Sequence, residues 1–195
     1  MKKVYLLLSK TNTFTSRLVH LVAPAPFTHA SLALYPETDK FYSYARRRLY
    51  NFLIGGIMKE NTKTFVFARF PECRCALFEL DISDESYEKI SSHIKRLMDD
   101  YDHSTYNFLG APFNRLGIVW RRKKHFTCSQ FVAVALANAE EIKFPKDPYL
   151  MMPSDFLKIE GLKKIYDGPI RDCNFSGASV FNKDENIKST NKEEK

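Results

Sequence analysis

Between Phe131 and Ala137 the chain reads FVAVALA, without a polar side chain, and Cys128 stands three residues ahead of it. A helix that is apolar all round has no face to offer water, so it belongs in the middle of a domain. The run therefore predicts a central buried helix, and the rest of the chain must supply the layers that cover it. Cys128 falls in the first turn, where unpaired N–H groups and the helix dipole favour a thiolate. The preceding Arg121, Arg122, Lys123 and Lys124 add positive potential. The competing reading is an inert buried thiol, since free cysteine packs as a small hydrophobe. A partner base decides between the two.

The covering layers read mainly as strands. VYLLLS (4–9) is a first strand. THASLALY (28–35) alternates, with Ala30, Leu32 and Leu34 on one face and His29, Ser31 and Ala33 on the other. PETD is a turn, and FYSYAR (41–46) returns as a hairpin partner. Residues 47–61, with Gly55 and Gly56, read as an excursion over the surface. TFVFARF (64–70) and CALFELDI (75–82) read as two more strands, and KKIYDG as the last. Thr15 caps a predicted helix carrying Leu18, Val19 and Val22. Ser83 caps another, with Tyr87, Ile90, Ile94, Leu97 and Met98 as its apolar stripe. Residues 104–117 predict a short helix and loop, with Tyr106 and Asn107 packing near the cysteine helix, and MPSDFLKIEG another short helix. Strands grouped apart from helices, without βαβ alternation, make the fold class α+β. One domain over 1–175 is expected, followed by a polar tail over 176–195 too poor in apolar residues to order.

Composition fits a single packed core: 195 residues, 44% hydrophobic and 14% aromatic. The net charge of +7 would suit an acidic partner. The basic residues are dispersed, however, and no nucleic-acid module accompanies them, so no nucleic-acid partner is expected. The apolar run of MKKVYLLLSK is too short for a signal peptide, and no transmembrane span is present, so a cytoplasmic protein is expected. Cys73 and Cys75 lack a second pair at metal-site spacing and read as structural; neither a metal nor a cofactor is expected.

Of the five histidines, His20 and His93 lie on predicted helices, His103 near the end of one, and His125 just ahead of the cysteine helix. His29 is different, being held on a sheet strand opposite the aliphatic stripe. A strand histidine facing a cysteine at a helix start is the pairing a thiol hydrolase needs. Gln130, two residues past Cys128 on the helix, points away and reads as structural or surface.

HASLAL, FYSYAR, YNFLG, HFTCSQFV and MPSDFL, in that order, resemble the circularly permuted NlpC/P60 proteins over roughly residues 2–170. These are papain-like cysteine hydrolases in which the histidine precedes the cysteine; the YiiX-like proteins belong there, and lecithin:retinol acyltransferase-type enzymes are related. The resemblance implies an antiparallel sheet packed on a central cysteine-bearing helix, with Cys128 as nucleophile and His29 as base. The family's third polar residue, often Glu or a second His, sits on the strand after the histidine. The matching position here is Ser43, or Tyr42 or Tyr44 if the hairpin register slips by one. Serine accepts a hydrogen bond from an imidazole but brings no charge to stabilise an imidazolium. Tyr5 and Ser9 on the first strand, with Tyr42 and Tyr44, are candidates for lining the substrate site.

The expected activity is cleavage of an amide bond in a small peptide or acyl-amide substrate, such as a cell-wall-type peptide or an isopeptide. A lipid acyltransferase or phospholipase-like enzyme with the same Cys–His pair is the second reading. The basic clusters and the aromatic YNFLIGG would suit peripheral contact with an anionic membrane. A binding module that has lost efficient chemistry is the third, favoured by the missing acidic residue.

Overall fold

Period-two alternation builds the centre of the sheet. In the computed structural model, β1 (Lys2–Lys10) pairs antiparallel with β2 (His29–Leu34) and with β5 (Arg74–Ile82). Val4, Leu6 and Leu8 face one side together with Ala30, Leu32 and Leu34; Tyr5, Leu7, Ala33 and Leu77 face the other. The structure describes residues 1–11, 25–35, 40–48, 51–63, 65–99, 105–106, 117–119, 121 and 125–173. The predicted helix at 15–22, His20, His103, Asn107 and the 176–195 tail lie outside them.

The remaining strands are β3 (Phe41–Arg48), β4 (Asn51–Glu60), β6 (Thr105–Tyr106), β7 (His125–Phe126) and β8 (Lys163–Pro169). Among the described residues the sheet has eight strands in the order β7-β6-β4-β3-β2-β1-β5-β8, antiparallel except for the β6–β7 pair. The helices are α1 (Phe65–Arg69), α2 (Asp84–Asp99) and α3 (Cys128–Leu136), with 3-10 turns at Pro148–Leu150, Pro153–Lys158 and Ile170–Asp172. The class is α+β.

Two expectations are corrected. Residues 51–60 form β4, a full partner of β3, rather than a surface excursion. Gly56 pairs with Ala45 inside the ladder, so the glycine pair marks no turn. TFVFARF contains helix α1 instead of a strand. Its β-branched and aromatic residues favour extended backbone, but Phe67 is buried in the cluster on the Tyr5 face, and packing overrides that preference.

α3 lies over β2 and β3, flanked by α2 and the Pro148 turn. Phe131, Val132, Ala133 and Ala135 are completely buried, as an all-apolar helix requires. Tyr44 meets Phe126 edge-on at 5.6 Å and lies tilted against Phe131 at 6.2 Å. α2 turns Ile90 and Ile94 into the same core, with Tyr87, Leu97 and Met98 packed around them. The Ser83 hydroxyl accepts the Ser86 N–H at the start of α2, and the Glu141 carboxylate accepts from Ser83 N–H and Ser86 Oγ. On the far face, α1 and the Ile170 turn bring Phe67 and Ile170 over Tyr5, Leu7 and Phe41.

Candidate active site

The local sequence TCSQ fixes where α3 begins. Thr127 is the N-cap: its hydroxyl accepts the Gln130 N–H at 3.2 Å, and the Gln130 side chain accepts the Thr127 N–H at 2.9 Å. This capping box stabilises the first turn and holds Cys128 as the first helical residue. Gln130 also donates to the Tyr149 carbonyl at 2.7 Å, which ties the helix start to the Pro148 turn. Gln130 is structural, and it is buried rather than on the surface.

His29 opens β2 at the rim of the sheet. α3 packs on the Leu32 face, whereas His29 has the alternation of the opposite face. At the first residue of a strand that parity does not confine the ring, and the imidazole hydrogen-bonds the Cys128 thiol. The backbone N–H of Ala30, the next residue, also donates to the sulfur. Both side chains are largely enclosed, with His29 18% exposed.

The side chain that meets His29 from the neighbouring strands is Glu60, not the expected Ser43. Glu60 ends β4 opposite Phe41, and its Oε2 lies 3.0 Å from His29 Nε2. With Nε2 engaged by the carboxylate, Nδ1 is the ring nitrogen left for the thiol. Ser43 sits further into the hairpin opposite Met58, fully buried, and its hydroxyl makes no hydrogen bond among the described residues. Tyr42 and Tyr44 do not replace it. Tyr42 pairs across from Leu32, and both tyrosines are buried in the core beneath α3. Tyr5 is buried in the opposite cluster, and Ser9, though directly across from His29, is completely enclosed. None of these four forms an exposed wall for substrate.

The electrostatics favour an ion pair. Burial works against charge on His29, but the Glu60 carboxylate and the Cys128 sulfur outweigh it and hold the imidazole pKa well above its usual value. Burial likewise pushes the Cys128 thiol up; attraction and a hydrogen bond from His29, with the Ala30 N–H, bring it below the ordinary thiol range. Cys173 is also lowered, by a hydrogen bond from Cys75 that outweighs its burial, but Cys73 and Cys75 differ. Burial alone pushes Cys73 up to about 11. Cys75 is pushed up by its hydrogen bond to Cys173 and then by burial. Arg121, expected to add potential, is committed to Asp147 at 2.7 Å and to the Tyr149 ring. Among the described residues no group of His, Cys, Asp or Glu is placed to hold a metal ion, and no helix is long and apolar enough to cross a membrane.

Glu60 is the site residue that the sequence reading missed. The usable signal is a lone carboxylate closing a β-rich stretch, one strand beyond the expected position. No protein-family model, curated protein or solved structure matches the chain.

Proposed function

We propose that the protein is a thiol hydrolase of amide bonds, with Cys128 as nucleophile, His29 as general base and acid, and Glu60 orienting and charging the imidazolium. The observation that carries this reading is the hydrogen-bonded series Cys128–His29–Glu60 at the start of a buried helix. The thiolate attacks the carbonyl carbon, and the N–H groups at the start of α3 face the developing oxyanion. His29 gives its proton to the departing amine, leaving an acyl-enzyme. Water then attacks the thioester, its proton passes to His29, and the acid leaves with the thiolate restored.

The chain order, histidine strand before cysteine helix, supports a permuted papain-like arrangement of the NlpC/P60 type. Glu60 supplies the acidic member that such a site uses, from the strand beyond the expected one. That removes the ground on which a non-catalytic binding module was favoured. The lipid-directed reading retains one specific support: Ile118 and Val119, just ahead of β7, are 48% and 41% exposed.

Two measurements test the proposal. Iodoacetamide should label Cys128 at pH 6–7, well below the unperturbed thiol pKa of ~8.5, and faster than Cys73 or Cys173. Labelling no faster than at those two, and unchanged in His29→Ala, sinks the nucleophile assignment. A paired screen of peptide amides and acyl esters then separates amidase from lipid-directed activity, with preferred amide turnover expected.

A further inference from the structure

The sheet face that carries Tyr5 and Leu7 also holds three serine hydroxyls with unusual surroundings. Ser9 on β1, Ser31 on β2 and Ser43 on β3 are each completely buried, and none of the three hydroxyls has a hydrogen-bond partner among the described residues. The register gathers them beside the base. Ser9 lies directly across from His29. Ser31 follows His29 by two residues on the same strand face. Ser31 and Ser43 flank the Leu32–Tyr42 bridge and so share the face opposite that pair. Glu60 belongs to this face too, since Phe41 opposite it precedes Ser43 by two residues.

Packing alone does not account for serine at these places. Neighbouring positions of the face hold Tyr5, Leu7, Ala33 and Phe41, the usual occupants of a buried sheet. A buried hydroxyl without a partner destabilises a fold, and alanine in its place avoids that penalty. Three of them, clustered around one histidine, call for a polar occupant. A hydroxyl both donates and accepts, which suits water, whose buried sites supply two to four such partners. An alkyl chain would leave all three unpaired.

We propose that Ser9, Ser31 and Ser43 line an internal hydration site behind the His29–Glu60 pair, which supplies the water that hydrolyses the acyl-enzyme. The inference rests on the thiol-hydrolase reading. In the step it serves, the water oxygen bonds to the thioester carbonyl carbon and its proton goes to His29. The carbon–sulfur bond then breaks, the electron pair returns to Cys128, and the carboxylic acid departs. A stored water beside the base makes hydrolysis, rather than transfer to another acceptor, the default outcome.

The test uses p-nitrophenyl acetate as acylating probe with the full chain and a Ser31→Ala/Ser43→Ala double variant. The burst of p-nitrophenolate reads acylation, and the steady rate reads deacylation. The variant is expected to keep its burst, to deacylate at least about fivefold more slowly, and to regain turnover when hydroxylamine replaces water as acceptor. Its Tm should fall, because hydroxyls that hold water contribute to stability. A raised Tm, the mark of dry unpaired hydroxyls removed, overturns the proposal, and so does an unchanged deacylation rate. The wild-type burst keeps the two levels apart: no acetyl adduct on Cys128 sinks the hydrolase reading itself, whereas a normal adduct with unaltered deacylation in the variant sinks only the hydration site.

Discussion

At the scale of single residues, the proposed chemistry turns on whether His29 keeps its proton next to the Cys128 sulfur. Glu60→Gln preserves a hydrogen-bond acceptor for Nε2 but removes the charge. The imidazolium then loses its principal stabiliser, His29 titrates lower, and thiolate formation at Cys128 moves to higher pH. The alkylation profile of Cys128 should accordingly shift upward, with turnover at pH 7 slowed by about tenfold or more. His29→Ala removes the acid and base altogether and should cost about 100- to 10,000-fold. Wild-type activity should be bell-shaped in pH. Its acid limb reports protonation of the thiolate and its alkaline limb loss of the imidazolium proton, so activity holds above and below neutrality. The Cys–His pair was legible because each partner sits in a strong local pattern, one before an apolar helix and one on an alternating strand. Glu60 was not. Its strand contains Gly55 and Gly56, which weaken the period-two signal, and only pairing with β3 brings its carboxylate to the ring.

At the scale of elements, two helix starts carry the stability that matters most. Thr127→Ala breaks the capping box of α3 and should cost about 0.5–2 kcal/mol in urea unfolding, with slower Cys128 alkylation as the first turn frays. α2 begins on the Glu141 carboxylate, whose pKa is lowered to about 2 by the Ser86 hydroxyl and then the Ser83 N–H. A carboxylate depressed in the folded state stabilises above its unfolded pKa of ~4.3, and that contribution disappears as pH falls towards about 2. The Tm gap between wild type and Glu141→Gln should therefore be full at pH 6 and closed near pH 2. The helices showed in the sequence as caps followed by periodic apolar residues. α1 did not, because FVFAR has the composition of a strand and only the cluster around Phe67 holds it as a helix.

At the scale of the whole molecule, the sheet is locked on its far side by charge as well as by apolar packing. Glu79 on β5 is buried, and its carboxylate meets Lys3 of β1 at 3.1 Å and Lys163 of β8 at 3.3 Å. One carboxylate thus joins three neighbouring strands. Glu79→Gln should destabilise the domain by about 1–3 kcal/mol, read from the urea midpoint with an unchanged m-value. The α+β class followed from the order of strands and helices. The strand order did not, since β1 lies between β2 and β5, and that neighbourhood depends on long-range pairing rather than local pattern. The same topology has a temporal consequence. His29 and Glu60 lie on β2 and β4, while Cys128 arrives with α3 much later in the chain. At ribosomal speeds of 5–20 residues per second, roughly 3–14 s separate the synthesis of Glu60 from that of Cys128. During that interval the nascent chain holds the histidine and the carboxylate without their thiol partner. On the proposed thiol-hydrolase mechanism, reactivity therefore begins only once α3 has docked on the sheet, so a half-made molecule is chemically silent.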